Sequence, residues 1–185
     1  MSSDFERTLH RLKPDKQFKQ LKPRPESGLT FLGSDKPGSL LYDTTVYVDV
    51  LQGRFPAAGE IMLKAADAWH SAVAKTELAS VCALLDPAHP HTAGVIKEIT
   101  RVIDRMSSHR TIAPDRDIWR IAGILTGTIA RLQGIPKAGR RGILNDALIF
   151  ATARKYGHTV LTRNIVDFDF LQQLDPAGRV LFYRV

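Results

Sequence analysis

The chain has 185 residues, of which 44% are hydrophobic and 24% charged, and this composition is typical of a globular protein with one domain. A single cysteine excludes an internal disulfide, and the lack of any apolar stretch near roughly 18 residues argues against a membrane span, so we expect a cytoplasmic protein without a membrane partner. The formal net charge of +7 favours a polyanionic partner, either nucleic acid or an acidic protein.

Residues 1–38 differ in composition from the rest of the chain. They are rich in lysine and proline and poor in apolar residues, so we predict a basic N-terminal arm that is flexible or loosely docked, followed by one domain over 39–185. The arm would either contact RNA or a partner, or be an idle extension. Its short apolar run at 29–32 would pack on the domain or add a strand.

From residue 39 onwards, short apolar runs alternate with segments of helical periodicity. We predict strands at 40–42, 68–73, 110–113, 159–162 and 180–183. The predicted helices lie at 44–51, 57–67, 74–85, 91–106, 114–132, from about 145 to 156, and at 168–174. Strands that alternate with helices are joined by crossover connections, so the sequence predicts an α/β fold with a mainly parallel sheet.

Four acidic residues follow or approach the ends of these predicted strands. Asp43 comes directly after the first strand, and Glu77 lies in the helix after the second. Asp146 opens the helix that leads into the fourth strand, and Asp167 lies in the loop after it. Ligands of an open parallel sheet collect beyond the carboxyl ends of its strands, where these acids would meet. Each acid alone is explained as a helix cap, a turn residue or a solvated first-turn residue.

As a set, the four carboxylates predict a metal site. Like charges about 4 Å apart repel by roughly 4 kcal/mol per pair at an effective dielectric of 20, and a divalent cation relieves that repulsion. Hard oxygen ligands suit Mg²⁺ or Mn²⁺, whereas the histidine and cysteine spacings typical of zinc are absent from the sequence. A bound metal ion would lower the pKa of a coordinated water and offset charge on a phosphate.

A basic, glycine-containing segment precedes the helix of Asp146. Its side chains Lys137, Arg140 and Arg141 would contact RNA phosphates beside the metal, or they would belong to a solvated loop. Asp49 and Asp169, two further acids near the motifs, are interpreted as supporting or surface residues.

Four segments carry a resemblance to a known family, at residues 41–51, 76–78, 145–153 and 162–168. They resemble the four motifs of PIN-domain nucleases, and their order and spacing resemble the VapC-like toxins of bacterial toxin–antitoxin pairs. This resemblance implies a three-layer α/β/α sandwich with a parallel five-stranded sheet. It also implies Mg²⁺- or Mn²⁺-dependent endoribonuclease activity on single-stranded or loop RNA.

The resemblance also implies roles for individual residues. Asp43, Glu77, Asp146 and Asp167 carry over as the catalytic metal ligands, directly or through water. Thr45 stands where the family usually has Ser or Asn and would orient the first aspartate, and Asn164 matches a polar residue that supports the site.

The partners implied by the resemblance are an RNA substrate, a cognate antitoxin whose C-terminal segment blocks the acidic cleft, and a second copy of the chain in a homodimer. Two alternatives stay open at this point. One is a non-catalytic PIN-like module that binds RNA or protein, and the other is a housekeeping RNA-processing nuclease.

Overall fold

The structure is a computed structural model that describes residues 4–33, 38–57, 59–60 and 67–185. Its strands are β1 (Ser39–Tyr42), β2 (Asp67–Ser71), β3 (Thr111–Ile112), β4 (Thr159–Thr162) and β5 (Arg179–Phe182). Its helices are α1 (Asp4–Leu12), α2 (Thr44–Leu51), α3 (Ala72–Leu84), α4 (Thr92–Arg105), α5 (Arg116–Leu132), α6 (Arg140–Tyr156) and α7 (Ile165–Leu174). The helix predicted at 57–67 lies largely outside the described residues. Over the described ranges, no helix has the length and apolar character needed to cross a bilayer.

The five strands form one sheet in the order β3-β2-β1-β4-β5, and every neighbouring pair is parallel. Leu41 in the central strand lies opposite Trp69 of β2 and Val160 of β4. The predicted parallel five-stranded sheet is therefore confirmed. Because all strands run in one direction, their carboxyl ends meet at a single edge, which is where the four acids were expected.

Alternate residues of the strands face two separate helical layers. Leu40, Tyr42 and Leu161 pack with residues of α2, α3 and α4. Leu41 and Val160 face the opposite side and pack with α5, α6 and α7. Helices therefore cover both faces of the sheet, as the apolar character of its strands requires, and the predicted three-layer α/β/α sandwich is confirmed.

Three helices begin earlier than the sequence predicts. Helix α3 begins at residue 72 instead of 74, because Ser71 accepts a capping hydrogen bond from the Val73 amide. Helix α6 begins at residue 140 instead of about 145, since a single glycine at 142 costs only about 1 kcal/mol and does not break a helix. Helix α7 begins at 165 instead of 168 and is capped by Asn164. Consequently Asp146 lies inside α6, away from its positive end, and Asp167 lies in the first turn of α7.

Residues 4–33 lie against the domain through buried contacts. Helix α1 packs on α5, and Leu12 at its end is buried in the core. Arg11 pairs with the buried Asp175 at 2.5 Å, and Arg24 pairs with the fully buried Asp169 at 2.5 Å. These contacts are tighter than the loose docking that the composition suggests, whereas the boundary at residue 38 stays a prediction.

The apolar run at 29–32 continues the sheet beyond β5. Phe31 forms a parallel bridge with Phe182, and the amide of Leu32 donates to the Phe182 carbonyl at 2.8 Å. Leu29, Phe31 and Leu32 also pack against the core, so the run both packs on the domain and adds a single bridge to the sheet.

Candidate active site

A cavity of about 740 Å³ opens at the carboxyl edge of the sheet, beyond the ends of β1 and β4. Side chains from α2, α3, α6 and the turn after β4 line it. Its polar lining consists of Asp43, Thr44, Thr45, Glu77, Ser80, Arg141, Asn145, Asp146, Arg163 and Asn164.

Asp43 lies at the floor of this cavity and is 2% exposed. It precedes α2 but makes no side-chain capping hydrogen bond to that helix. Its Oδ2 instead accepts hydrogen bonds from the hydroxyls of Thr45 and Thr162, each at 2.7 Å. Burial raises the pKa of Asp43, the two hydroxyls act in the opposite direction, and the charge of Glu77 raises it further. The predicted supporting role of Thr45 thus has a direct contact behind it.

Glu77 reaches the cavity from the second turn of α3. The hydroxyl of Thr44 donates to its Oε2, and the side-chain amide of Asn145 donates to its Oε1 at 2.7 Å. Both carboxylate oxygens are therefore held in place by neighbours on two other elements, α2 and α6. Neither Thr44 nor Asn145 was singled out from the sequence, although each is the immediate neighbour of a predicted site residue.

Asp146 and Asp167 are bridged by one amide group. The Nδ2 of Asn164 donates to Asp146 Oδ2 at 3.0 Å and to Asp167 Oδ2 at 2.9 Å. The oxygen of the same side chain accepts from the Asp167 amide, which caps α7. Asn164 therefore links an acid of α6 to an acid of α7, and this contact supports its predicted role.

The four acids interact electrostatically as one group. The pKa of Asp146 is raised from 3.8 to about 9, first by burial and then by the charges of Asp43, Asp167 and Glu77. In the absence of a counter-ion, Asp146 is consequently protonated at neutral pH and can donate a hydrogen bond to Asp167. Asp43, Glu77 and Asp146 therefore line the same cavity, whereas Asp167 is not among its described lining residues and acts on Asp146 through its charge.

The donor set fits a hard divalent cation in its chemistry, because carboxylate, hydroxyl and amide oxygens surround one concave space. Its arrangement is not a finished coordination shell. In the described portions of the chain, no three His, Cys, Asp or Glu side chains are placed so that they could hold a metal ion as they stand. The carboxylate oxygens of this group accept hydrogen bonds from neighbouring hydroxyl and amide donors.

The basic residues predicted to contact phosphate are divided by the structure. Arg141, in the first turn of α6, lines the cavity. Lys137 lies in a short 3₁₀ turn, and Arg140 is exposed and donates weakly to the Ile135 carbonyl at 3.4 Å. Neither Lys137 nor Arg140 is among the described residues that line the cavity. Arg163, which was not singled out from the sequence, does line it.

No protein-family model matches the chain, and no curated protein sequence matches it either. VapBC2 from Rickettsia felis, solved with a DNA fragment from its promoter, is similar with a TM-score of 0.55 and 17% identity over 79% of this chain and 98% of that one. FitAcB from Neisseria gonorrhoeae is similar with a TM-score of 0.56 and 23% identity over 77% of this chain and 96% of that one.

The similar structures agree with this chain in their fold. The chain has the PIN-like α/β/α sandwich, as the sequence motifs predict. A further structure with this fold is VapBC-5 from Mycobacterium tuberculosis, a member of the VapBC family of toxin–antitoxin systems, with a TM-score of 0.50 and 21% identity over 80% of this chain and 99% of that one. At these identities, the similarity concerns the fold.

Proposed function

We propose that the protein is a metal-dependent endoribonuclease and the toxin of a toxin–antitoxin pair. One observation carries the nuclease proposal: Asp43, Glu77 and Asp146, from three elements, line one cavity at the carboxyl edge of a PIN-like sheet. The charge of Asp167, from a fourth element, acts on Asp146 beside them. Structural motifs used only for stability do not require four mutually repelling acids in one place, since each buried carboxylate costs free energy.

Asp43, Glu77, Asp146 and Asp167 would hold Mg²⁺ or Mn²⁺, directly or through water. When bound, such an ion supplies a water of lowered pKa and positive charge beside the phosphate that is cut. Thr45 and Thr162 donate to one oxygen of Asp43, and Asn164 donates to both Asp146 and Asp167. Hydrolysis adds the hydroxyl of water to phosphorus and a proton to the leaving oxygen of the RNA chain.

The toxin part of the proposal is supported by the solved structures that share this fold. They include structures named VapBC2 and FitAcB, and one is described as a member of the VapBC family of toxin–antitoxin systems. We propose by analogy a cognate antitoxin that blocks the acidic cavity, and a homodimer. Induced expression of the wild type should arrest growth of a host that lacks the antitoxin, whereas Asp43→Asn should be harmless. Harmless overproduction of active enzyme would instead favour a housekeeping RNA-processing nuclease.

Cleavage of a labelled single-stranded RNA tests the nuclease proposal. The wild type with Mg²⁺ or Mn²⁺ should cleave it, and Asp43→Asn should abolish cleavage while it stays folded. Asp104→Asn, which changes an exposed acid of α4, is the matched control and should keep full activity. Equal cleavage by the wild type in excess EDTA would overturn the proposal.

One observation favours a second candidate. The lack of a ready-made set of metal ligands among the described residues is what a PIN-like module without turnover would show, if it bound only RNA or protein. Calorimetric titration with Mn²⁺ separates the nuclease from the inert module. The inert module should bind the ion no more tightly than an exposed acidic surface does.

A further inference from the structure

Beside the acids, a second polar cluster adjoins the cavity, and its centre is Asp49 in α2. This carboxylate is 0% exposed. Its Oδ2 accepts from Nε of Arg163 at 2.7 Å and from the Tyr183 hydroxyl at 2.8 Å, while its Oδ1 accepts from Arg54 at 3.0 Å. A buried carboxylate with three donors is held rigidly, since its desolvation is offset only while those contacts persist.

Arg163 is the member of this cluster that reaches the cavity. Its side chain is 36% exposed and lines the cavity, and its backbone amide donates to the Thr45 hydroxyl at 3.2 Å. The same hydroxyl donates to Asp43. The guanidinium of Arg163 is therefore held at Nε by the Asp49 carboxylate. The backbone of Arg163 is held by the Thr45 hydroxyl, which also donates to Asp43.

The charges that line the cavity indicate a role for the Arg163 guanidinium in binding RNA. Among the described residues that line the cavity, the basic ones are Arg141 and Arg163, and the acidic ones are Asp43, Glu77 and Asp146. An RNA chain that approaches the ionised carboxylates among them is repelled unless positive charge lies beside them. A guanidinium held at Nε keeps its two terminal nitrogens for a phosphate, which is the bidentate geometry that arginine provides and lysine does not.

We propose that Arg163 binds a backbone phosphate of the RNA next to the one that is cut, and that Asp49 is a positioning residue that holds Arg163 for this contact. The inference rests on the proposed function, because it takes RNA as the ligand of the cavity. Its competitor is a purely structural ion pair that joins α2 to the turn after β4. The two differ in whether RNA affinity and its salt dependence change when the pair is broken.

Fluorescence anisotropy with a labelled single-stranded oligoribonucleotide, in EDTA and over a series of salt concentrations, tests the proposal. Arg163→Gln should bind about three- to tenfold more weakly at low salt, and the slope of log affinity against log salt should fall by about 0.7, the value for one phosphate contact on a single strand. Arg101→Gln is the matched control, since it removes an equal charge from an exposed pair with Glu98 on α4, which contacts neither Asp49 nor the described lining. It should bind like the wild type.

Asp49→Asn should reduce the salt slope as Arg163→Gln does, although its own charge change points towards stronger RNA binding. Where Asp49→Asn does not fold, Arg163→Lys tests the same point: it keeps the charge but loses the Nε contact, and should bind at least threefold more weakly than the wild type. Wild-type affinity and slope in Arg163→Gln, or an equal loss in Arg101→Gln, would overturn the inference. If the wild type cleaves RNA but Arg163→Gln leaves the salt slope unchanged, only the Arg163 contact is overturned. If Arg163→Gln lowers the salt slope but the wild type does not cleave RNA, only the nuclease proposal is overturned.

Discussion

Asn164 and Asp146 are joined by a hydrogen bond of 3.0 Å, although they lie on opposite sides of β4 in the sequence. The same amide also donates to Asp167, so one neutral side chain bridges two acids. In a metal site, such outer contacts orient the ligands and are worth about 10- to 100-fold in affinity or activity.

Asn164→Ala should therefore weaken Mn²⁺ binding by about 10- to 100-fold, as measured by calorimetry. Because Asn164 also caps α7, this variant should lose about 1 kcal/mol of stability as well. Asn164→Ser separates the two roles, since serine is an equally good cap but has no amide to bridge the acids. It should keep wild-type stability in urea and lose metal affinity as Asn164→Ala does; retained affinity in Asn164→Ser would argue against the bridge.

The pKa of Asp146 predicts an unusual dependence of stability on pH. Its folded-state pKa of about 9 lies above its ordinary value of 3.8, so the unfolded chain releases this proton first. The metal-free protein should consequently lose stability as the pH rises from about 4 to about 9. Asp146→Asn removes this contribution and should melt at a higher temperature than the wild type at pH 7.5 in EDTA, by about 2–4 °C for each kcal/mol relieved.

Added Mn²⁺ should reverse that order, because only the wild type gains stability from the bound ion. Asp104→Asn provides the baseline for a single change of an exposed acid to its amide. If Asp146→Asn melts below the wild type in EDTA across this pH range, Asp146 does not carry the repulsion assigned to it.

The pairing of Arg24 with Asp169 makes residues 4–33 part of the stability of the domain. Arg24 also donates its backbone amide to the same carboxylate at 2.8 Å. Arg24→Ala should cost about 2–3 kcal/mol, since it leaves a buried charge without its partner, and less than a fully buried pair because the Arg24 side chain is 34% exposed. Asp169→Asn in the same chain should recover part of this loss. Urea denaturation measures both.

The exposed pair of Arg101 and Glu98 on α4 offers a matched control, in which Arg101→Ala should leave stability unchanged. An equally small effect of Arg24→Ala would mean that residues before 34 only rest on the domain surface.

The sequence predicted well those features that depend on apolar runs and on strand order. Helix α2 and strand β4 have the bounds predicted. For β4 the reason is that a buried strand between turn residues is a strong local pattern. Helix starts were predicted less well: the glycine at 142 was interpreted as part of a loop, although α6 continues through it. That error placed Asp146 at a positive helix end, where it does not lie.

Contacts between distant residues explain what the sequence could not predict. Thr162 donates to Asp43, and Asn145 donates to Glu77, and no local pattern joins residues so far apart along the chain. The docking of residues 4–33 was underestimated for the same reason, since the acids that bind Arg11 and Arg24 belong to the C-terminal part of the chain. The composition of that segment indicates its polarity but not its partners.

Calorimetric titration with Mn²⁺ at neutral pH tests most directly whether the four carboxylates form one site for a divalent cation. The wild type should bind the ion with heat that saturates, and Asp43→Asn, Glu77→Gln, Asp146→Asn and Asp167→Asn should each weaken the binding at least about tenfold. Asp104→Asn should bind like the wild type. Weak binding by the wild type that none of the four substitutions changes would contradict the account.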